Sequence, residues 1–107
     1  MIKVNNLINN NDRAVANQFV IYDQKEGTTI FQSYESIVCI IYHTKNTITF
    51  GVDWDYSRTT MKHLNNFIRE YASIKKVSAK NIRQWIDKGE VKNNYCTYTV
   101  NYNKEVI

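Results

Sequence analysis

The sequence predicts an α+β fold in which an antiparallel sheet of about five strands carries two helices on one face. Two observations predict it. Up to Val52 the chain consists of short β-branched and aromatic runs separated by turn residues, whereas beyond Trp54 apolar residues recur at helical spacing. The expected element order is β-β-β-β-α-α-β. A length of 107 residues fits a single domain, residues 1–107, with one core of its own.

The first two expected strands form a hairpin. "QFVIYD" at 18–23 is a β-branched and aromatic run, and "TTIFQSY" at 28–34 alternates between apolar and polar residues. Gly27 supplies the turn between them, because glycine adopts the backbone conformations that tight turns need. The Asn-rich residues 1–15 are either frayed or supply an edge strand, through Ile2, Val4 and Leu7.

Three further strands are expected. "SIVCIIYH" at 36–43 is almost entirely apolar, which is typical of a central strand covered on both faces. "TITFGV" at 47–52 returns after the turn "TKN", and "YCTYTVNY" at 95–102 alternates near the end of the chain. The core side of this last strand is one of two sets: either Cys96, Tyr98, Val100 and Tyr102, or Tyr95, Thr97 and Thr99.

Two helices are expected between these strands. Ser57 is a favourable N-cap for the first, and Ser78 caps a shorter second helix that Gly89 ends. Apolar residues at helical spacing mark the inward sides of both: Met61, Leu64, Phe67, Ile68 and Tyr71, then Ile82, Trp85 and Ile86. The other side of the first helix is polar: Arg58, Lys62, His63, Asn65, Asn66, Arg69 and Glu70.

Composition indicates a soluble globular protein. The longest apolar stretch, "IVCIIY" at 37–42, is far shorter than the roughly 18 residues that a membrane helix needs. The segment "MIKVNNLINN" lacks the apolar region and cleavage site of a signal peptide. We therefore expect a protein that stays in the cytoplasm, where Cys39 and Cys96 are reduced core thiols rather than a disulfide.

The sequence argues against an enzyme, and we expect neither cofactor nor metal. Cys39 and His43 are four residues apart on a strand, about 13 Å, which is too far for proton transfer. Asp53 and Asp55 flank Trp54, but a divalent cation needs further oxygen ligands that no spacing supplies. The position of Asp55 before a helix is better explained by the helix dipole. The isolated glycines form no phosphate-binding loop.

Positive charge belongs to the helical half of the chain. Residues 1–53 hold four Lys or Arg and five Asp or Glu, whereas residues 54–107 hold ten and five, which gives the net charge of +4. A helix, a short turn and a second helix with this surplus suggest nucleic-acid binding through "SAKNIRQW". The candidate residues are Lys75, Lys76, Lys80, Arg83, Lys88 and Lys92. The alternative is that these cations only solvate helix faces, and no third helix completes a helix-turn-helix unit.

Three sequence words resemble a family of small proteins from phages and mobile elements of Gram-positive bacteria. They are "ANQFVI" at 16–21, "FQSYES" at 31–36 and "WDYSRTTMKHLNNFI" at 54–68. The resemblance covers about residues 14–70 and implies a setting, the cytoplasm of an infected bacterium, but no reaction. Small phage proteins are often counter-defence factors, anti-CRISPR inhibitors of Cas nucleases among them. A basic protein is unsuited to mimicking DNA, so a basic face would instead meet guide RNA, DNA or an acidic patch.

These words also have a structural interpretation, in which they close turns and cap the first helix. Beside it stands a functional one, in which the outward side of that helix faces a host protein or ribonucleoprotein. The residues expected to contact this partner are Tyr56, Arg58, Lys62, His63 and Arg69. The leading prediction is thus a non-enzymatic phage or mobile-element protein that inhibits a host-defence nuclease by binding. The alternative is a small nucleic-acid-binding regulator that uses the basic segment 75–92.

Overall fold

The computed structural model describes residues 2–8, 12–51, 54–55, 57–75, 77–89, 91–92 and 98–101. Their elements, in chain order, are β1 (Ile2–Ile8), β2 (Ala14–Asp23), β3 (Thr28–Ser33), β4 (Ser36–Tyr42), β5 (Thr47–Phe50), α1 (Arg58–Tyr71), α2 (Ala79–Gly89), β6 (Val91–Lys92) and β7 (Tyr98–Asn101). The predicted α+β class is confirmed. Neither described helix has the length and apolar content that crossing a bilayer requires.

The strands form one antiparallel sheet in the order β1-β2-β3-β4-β5-β7-β6. The described sheet has seven strands rather than about five, because β1 and the two-residue β6 add an edge at either end. The N-terminal segment is therefore an edge strand over residues 2–8, and the alternative that it frays is wrong there. In β7, Tyr98 pairs with Phe50 and Val100 with Ile48. The predicted core side of 95–102 concerns side chains outside those described.

Both helices pack on one face of the sheet, and a single core lies between. Phe31 of β3 stacks on Phe67 of α1 with ring centroids 5.5 Å apart. Cys39 and Phe50 occupy the same register row as Phe31 and are fully buried. Ile82 and Trp85 of α2 belong to the same cluster, as predicted. Residues of β3 and β5 alternate between buried and partly buried positions from Phe31 to Ser33 and from Thr47 to Phe50, which is the period of two that a strand imposes.

Two of the sequence words, "ANQFVI" and "FQSYES", meet at one corner of the sheet. Asn17 and Tyr34 both have positive φ, 61° and 54°, and the Tyr34 N–H donates to the Asn17 carbonyl at 2.7 Å. The Gln32 side-chain amide donates to the Tyr34 carbonyl at 2.7 Å, and Gln18 pairs with Ser33 in the ladder. These residues shape an irregular strand and a tight turn. The structural interpretation of both words is therefore sufficient to explain them.

Gly51 lies at a close backbone approach between β4 and the end of β5. A Cβ atom at this position would lie 2.6 Å from the carbonyl oxygen of Ile37, which is backbone and cannot swing aside. We expect Gly51→Ala to lower the free energy of unfolding by about 1–3 kcal/mol, the usual cost of overpacking. Urea denaturation followed by circular dichroism measures this. A variant as stable as the wild type would contradict the close approach.

Candidate functional site

The outward side of α1 carries an open depression of about 380 Å³. Its described lining residues all belong to α1: Arg58, Met61, Lys62, Asn65, Asn66 and Arg69. Its three cations, Arg58, Lys62 and Arg69, are exposed and are called here the cationic side of α1. The structure thus brings together three of the five residues predicted to contact a partner.

Local sequence accounts for this arrangement. Ser57 caps the helix, since its hydroxyl accepts the Thr60 N–H at 3.0 Å, and α1 therefore begins at Arg58. Spacings of four and seven residues then place Arg58, Lys62 and Arg69 along one stripe, because an α-helix turns once every 3.6 residues. Leu64, Phe67 and Ile68 fall on the opposite side and are buried against the sheet.

The charged side chains of the cationic side are all positive. Among the described residues, no acid lines the depression, and neither Arg58 nor Lys62 forms an ion pair. The Arg69 guanidinium is held in place by two hydrogen bonds, to the Asn66 side-chain oxygen at 2.7 Å and the Val77 carbonyl at 3.4 Å. A guanidinium has five N–H donors, and the bonds of Arg69 to described residues use two of them.

Asn65 and Asn66 are the residues of this site that the sequence interpretation left without a role. Asn66 positions Arg69, whereas the side-chain oxygen of Asn65 is buried and accepts no hydrogen bond from the described part of the chain. Met61, predicted as core, packs partly on the core and also lines the depression. The signal that could have found them was available: each lies three or four residues along α1 from one of the cations, a spacing that makes residues neighbours on a helix.

His63 was predicted on the outward side of α1, and this placement is wrong. His63 is only 9% exposed, and its buried Nδ1 atom has no hydrogen-bond partner among the described residues. The physical reason is that His63 precedes Phe67 by one helical turn, so both lie on the side that packs against β3. Burial lowers the pKa of the His63 imidazole below its ordinary value, and the neighbouring Lys62 ammonium lowers it further.

The lowered pKa of His63 makes stability depend on pH. The unfolded chain takes up a proton at His63 as the pH falls below about 6.5, whereas the folded chain resists protonation. The contribution of His63 is therefore complete above this pH and is lost as the pH falls through the folded-state pKa. We expect the wild type to lose more stability between about pH 7.5 and about pH 5 than His63→Gln does. Denaturation midpoints that change with pH by the same amount in both proteins would contradict this.

Of the six cations predicted in the basic segment 75–92, the structure describes the side chains of three, Lys75, Lys80 and Arg83. Lys75 and Lys80 are exposed, but Arg83 lies 5.5 Å from the Trp54 ring centroid and 3.6 Å from the Asp55 carboxylate. Asn81, another candidate in "SAKNIRQW", accepts the Ser78 hydroxyl with its side-chain oxygen at 2.9 Å and so completes the helix cap. Tyr56, Lys76 and the side chains of Lys88 and Lys92 lie outside the described residues.

The residues considered above for catalysis or metal binding are Cys39, His43, Asp55, Asp53 and Cys96. Burial raises the pKa of the Cys39 thiol well above its ordinary value, which opposes the thiolate that nucleophilic catalysis needs. His43 instead shares a hydrogen bond with the Thr29 hydroxyl at 2.7 Å, through Nε2. Asp55 is paired with Arg83, while Asp53 and Cys96 lie outside the described residues. Among the described residues no three His, Cys, Asp or Glu side chains lie close enough to hold a metal ion.

Fold and site together define a small α+β protein with an open cationic surface on its first helix. The chain belongs to a family described as a family of unknown function, DUF8033, whose model matches residues 2–88. The match spans β1 to β5, all of α1 and nearly all of α2, so the cationic side lies inside it. A search of curated proteins and a search of solved structures each gave no match.

Proposed function

We propose that this is a non-enzymatic binding protein whose cationic side of α1 binds the phosphate backbone of nucleic acid, free or held in a ribonucleoprotein. One observation carries the proposal: Arg58, Lys62 and Arg69 line a single open depression together with two side-chain amides and, among the described residues, no acid. Most contacts between proteins and nucleic acids go to phosphate and sugar, from Arg, Lys and Asn among others.

The spacing of these cations suits a phosphate backbone. Arg58 and Arg69 are eleven residues apart, which corresponds to roughly 16 Å along a helix. A single strand of duplex DNA carries one phosphate per 3.4 Å of its axis, so this length spans about five phosphates. Lys62 lies between the two arginines and can contact an intermediate phosphate. The prepositioned Arg69 loses less side-chain freedom on binding than a mobile side chain does.

The first helix is a better candidate than the predicted segment 75–92. In that segment the Arg83 guanidinium lies 3.6 Å from the Asp55 carboxylate, which offsets its charge, and Asn81 is used in a cap. Lys75, in the turn before α2, and Lys80, in α2, are both exposed. Three aligned cations on one rigid helix give a more precise surface.

The same surface bears on the counter-defence role that the resemblance implies. A protein that inhibits a Cas nuclease by mimicking DNA needs an acidic face, whereas a cationic side is complementary to guide RNA or target DNA. We therefore propose that any inhibition of a host-defence ribonucleoprotein by this chain proceeds through contact with its nucleic acid. Inhibition that persists after Arg58 and Lys62 are neutralised would contradict this route.

Fluorescence anisotropy tests the proposed function. Labelled duplex DNA, single-stranded DNA and structured RNA are titrated with the wild type and with two matched variants. Arg58→Gln with Lys62→Gln neutralises the cationic side of α1, and Lys75→Gln with Lys80→Gln removes the same charge from the second segment. We expect the first variant alone to lose affinity. Loss confined to the second variant would assign binding to residues 75–92 instead, and no binding by the wild type at low salt would overturn the proposal.

A further inference from the structure

The sheet has a second face, opposite the helices, that is apolar and uncovered by any described helix. Phe31 points to α1, so its neighbour Ile30 points the other way. The register aligns Val4, Ile21, Ile30 and Ile40 in one row across four strands. The row is only partly buried in its middle, and Val4 is 58% exposed. This surface is called here the open face.

A second row extends the open face toward the β3–β4 turn. It contains Phe19, Gln32 and Ile37, paired across β2, β3 and β4, and Ile37 is 45% exposed. Neither row contains a charged residue. A nucleic acid is therefore no match for this face, because phosphate binding requires cations. An apolar, uncharged surface of this kind is a protein–protein contact surface.

Charges of both signs lie at the other end of the open face. Asp23 of β2 shares a row with Thr28 and Tyr42 of β3 and β4. Lys45 follows Tyr42 in the next turn, and its ammonium lies 5.6 Å from the Tyr42 ring centroid. An acid on β2 and a base beside β4 are thus placed on either side of the central strand β3.

We propose that the open face is a dimer interface, occupied by the same face of a second copy of this chain. A twofold axis along β3 places β2 of one copy over β4 of the other. Ile30 then meets its own equivalent, and Ile21 meets Ile40. The same operation brings the Asp23 carboxylate of each copy to the Lys45 ammonium of the other. The same symmetry axis therefore pairs apolar residues with apolar residues and the acid of each copy with the base of the other. A self-complementary interface requires both.

The size of the open face predicts a weak dimer. Five strands at a spacing of about 4.8 Å, each about six residues long, give a footprint of roughly 480 Å² per copy. The two copies together then bury on the order of 1,000 Å², which is at the low end for specific interfaces. Such sheets pack about 10 Å apart with their strands about 30° from parallel, as in a β-sandwich. The helices lie on the outer surfaces, so the dimer leaves both cationic sides of α1 exposed.

Sedimentation equilibrium from about 1 μM to about 500 μM tests the dimer, in the range that an interface of this size occupies. Ile37→Glu places a charge on the open face at an exposed position. Tyr22→Glu is its matched control, since Tyr22 is 41% exposed but pairs with Thr29 on the helix-bearing face. We expect Ile37→Glu to weaken dimerisation at least about tenfold and Tyr22→Glu to leave it unchanged. Equal behaviour of the two variants, or a wild type that stays monomeric throughout, would overturn the proposal.

The charged end offers a second, independent test of the axis. Lys45→Glu places two acids opposite one another and is expected to weaken the dimer. Asp23→Asn removes one of these acids and keeps the side-chain oxygen that accepts the Lys25 and Glu26 N–H groups. Combining both changes should restore part of the lost affinity. A dimer unaffected by Lys45→Glu overturns this twofold arrangement. None of these readouts involves nucleic acid, so they are independent of the proposed function.

Discussion

Replacing Phe67 by Ala is expected to lower the free energy of unfolding by about 3–5 kcal/mol. Phe67 is completely buried, stacks on Phe31 and lies 5.2 Å from the Tyr71 ring centroid. The substitution removes the ring and leaves a cavity between α1 and the sheet, where backbone elements cannot fully close the gap. Proteins of this length are stable by only about 5–15 kcal/mol in all. We therefore expect a large fall in the urea midpoint, measured by tryptophan fluorescence.

Tyr22→Ala is the control for this prediction. It also removes an aromatic ring from a regular element, but Tyr22 is 41% exposed, whereas Phe67 is completely buried. Its expected cost is within about 1 kcal/mol. Similar losses for both variants would mean that α1 is not held to the sheet by the Phe31–Phe67 contact.

Neutralising Arg58 and Lys62 is expected to produce the largest change in binding. Each phosphate contact contributes a slope of about −0.9 to log K against log salt for duplex DNA. If the wild type and the variant bind equally at 1 M salt, the loss of two contacts lowers the affinity at 50 mM salt by about 2.3 decades, on the order of a hundredfold. Anisotropy titration of Arg58→Gln with Lys62→Gln at 50 mM salt measures this loss.

Lys3→Gln with Lys25→Gln is the matched control for net charge. It also removes two positive charges, but from β1 and the β2–β3 turn, where Lys3 and Lys25 are exposed and distant in sequence from α1. We expect its affinity to change by less than about threefold, since only long-range attraction is affected. An equal loss in both variants would show that binding follows net charge and has no site on α1.

Most of the fold could be predicted from the sequence because local signals agreed with one another. The N-caps at Ser57 and Ser78 and the helical recurrence of Leu64, Phe67 and Ile68 placed both helices. Gly27, with φ of 65°, occupies the expected turn. The N-terminal strand could be foreseen only as one of two alternatives, because its Asn-rich sequence has weak strand propensity and is stabilised by pairing with β2.

The candidate site was predictable in its residue types but less so in its geometry. Helical spacing identified the stripe of Arg58, Lys62 and Arg69, yet it could not place His63, which lies at the border between the buried and exposed sides. The width of the buried side depends on how α1 sits on β3, which is a tertiary property. The contacts of the Arg83 guanidinium with the Trp54 ring and the Asp55 carboxylate likewise depend on the path of the chain between β5 and α1.

The most direct test of the cationic side is the salt dependence of duplex DNA binding, compared between the wild type and Arg58→Gln with Lys62→Gln. If Arg58, Lys62 and Arg69 each neutralise one phosphate, the wild-type plot of log K against log salt has a slope of about −2.7. The variant retains only Arg69 and should show a slope of about −0.9. Equal slopes for the two proteins would contradict phosphate binding by the outward side of α1.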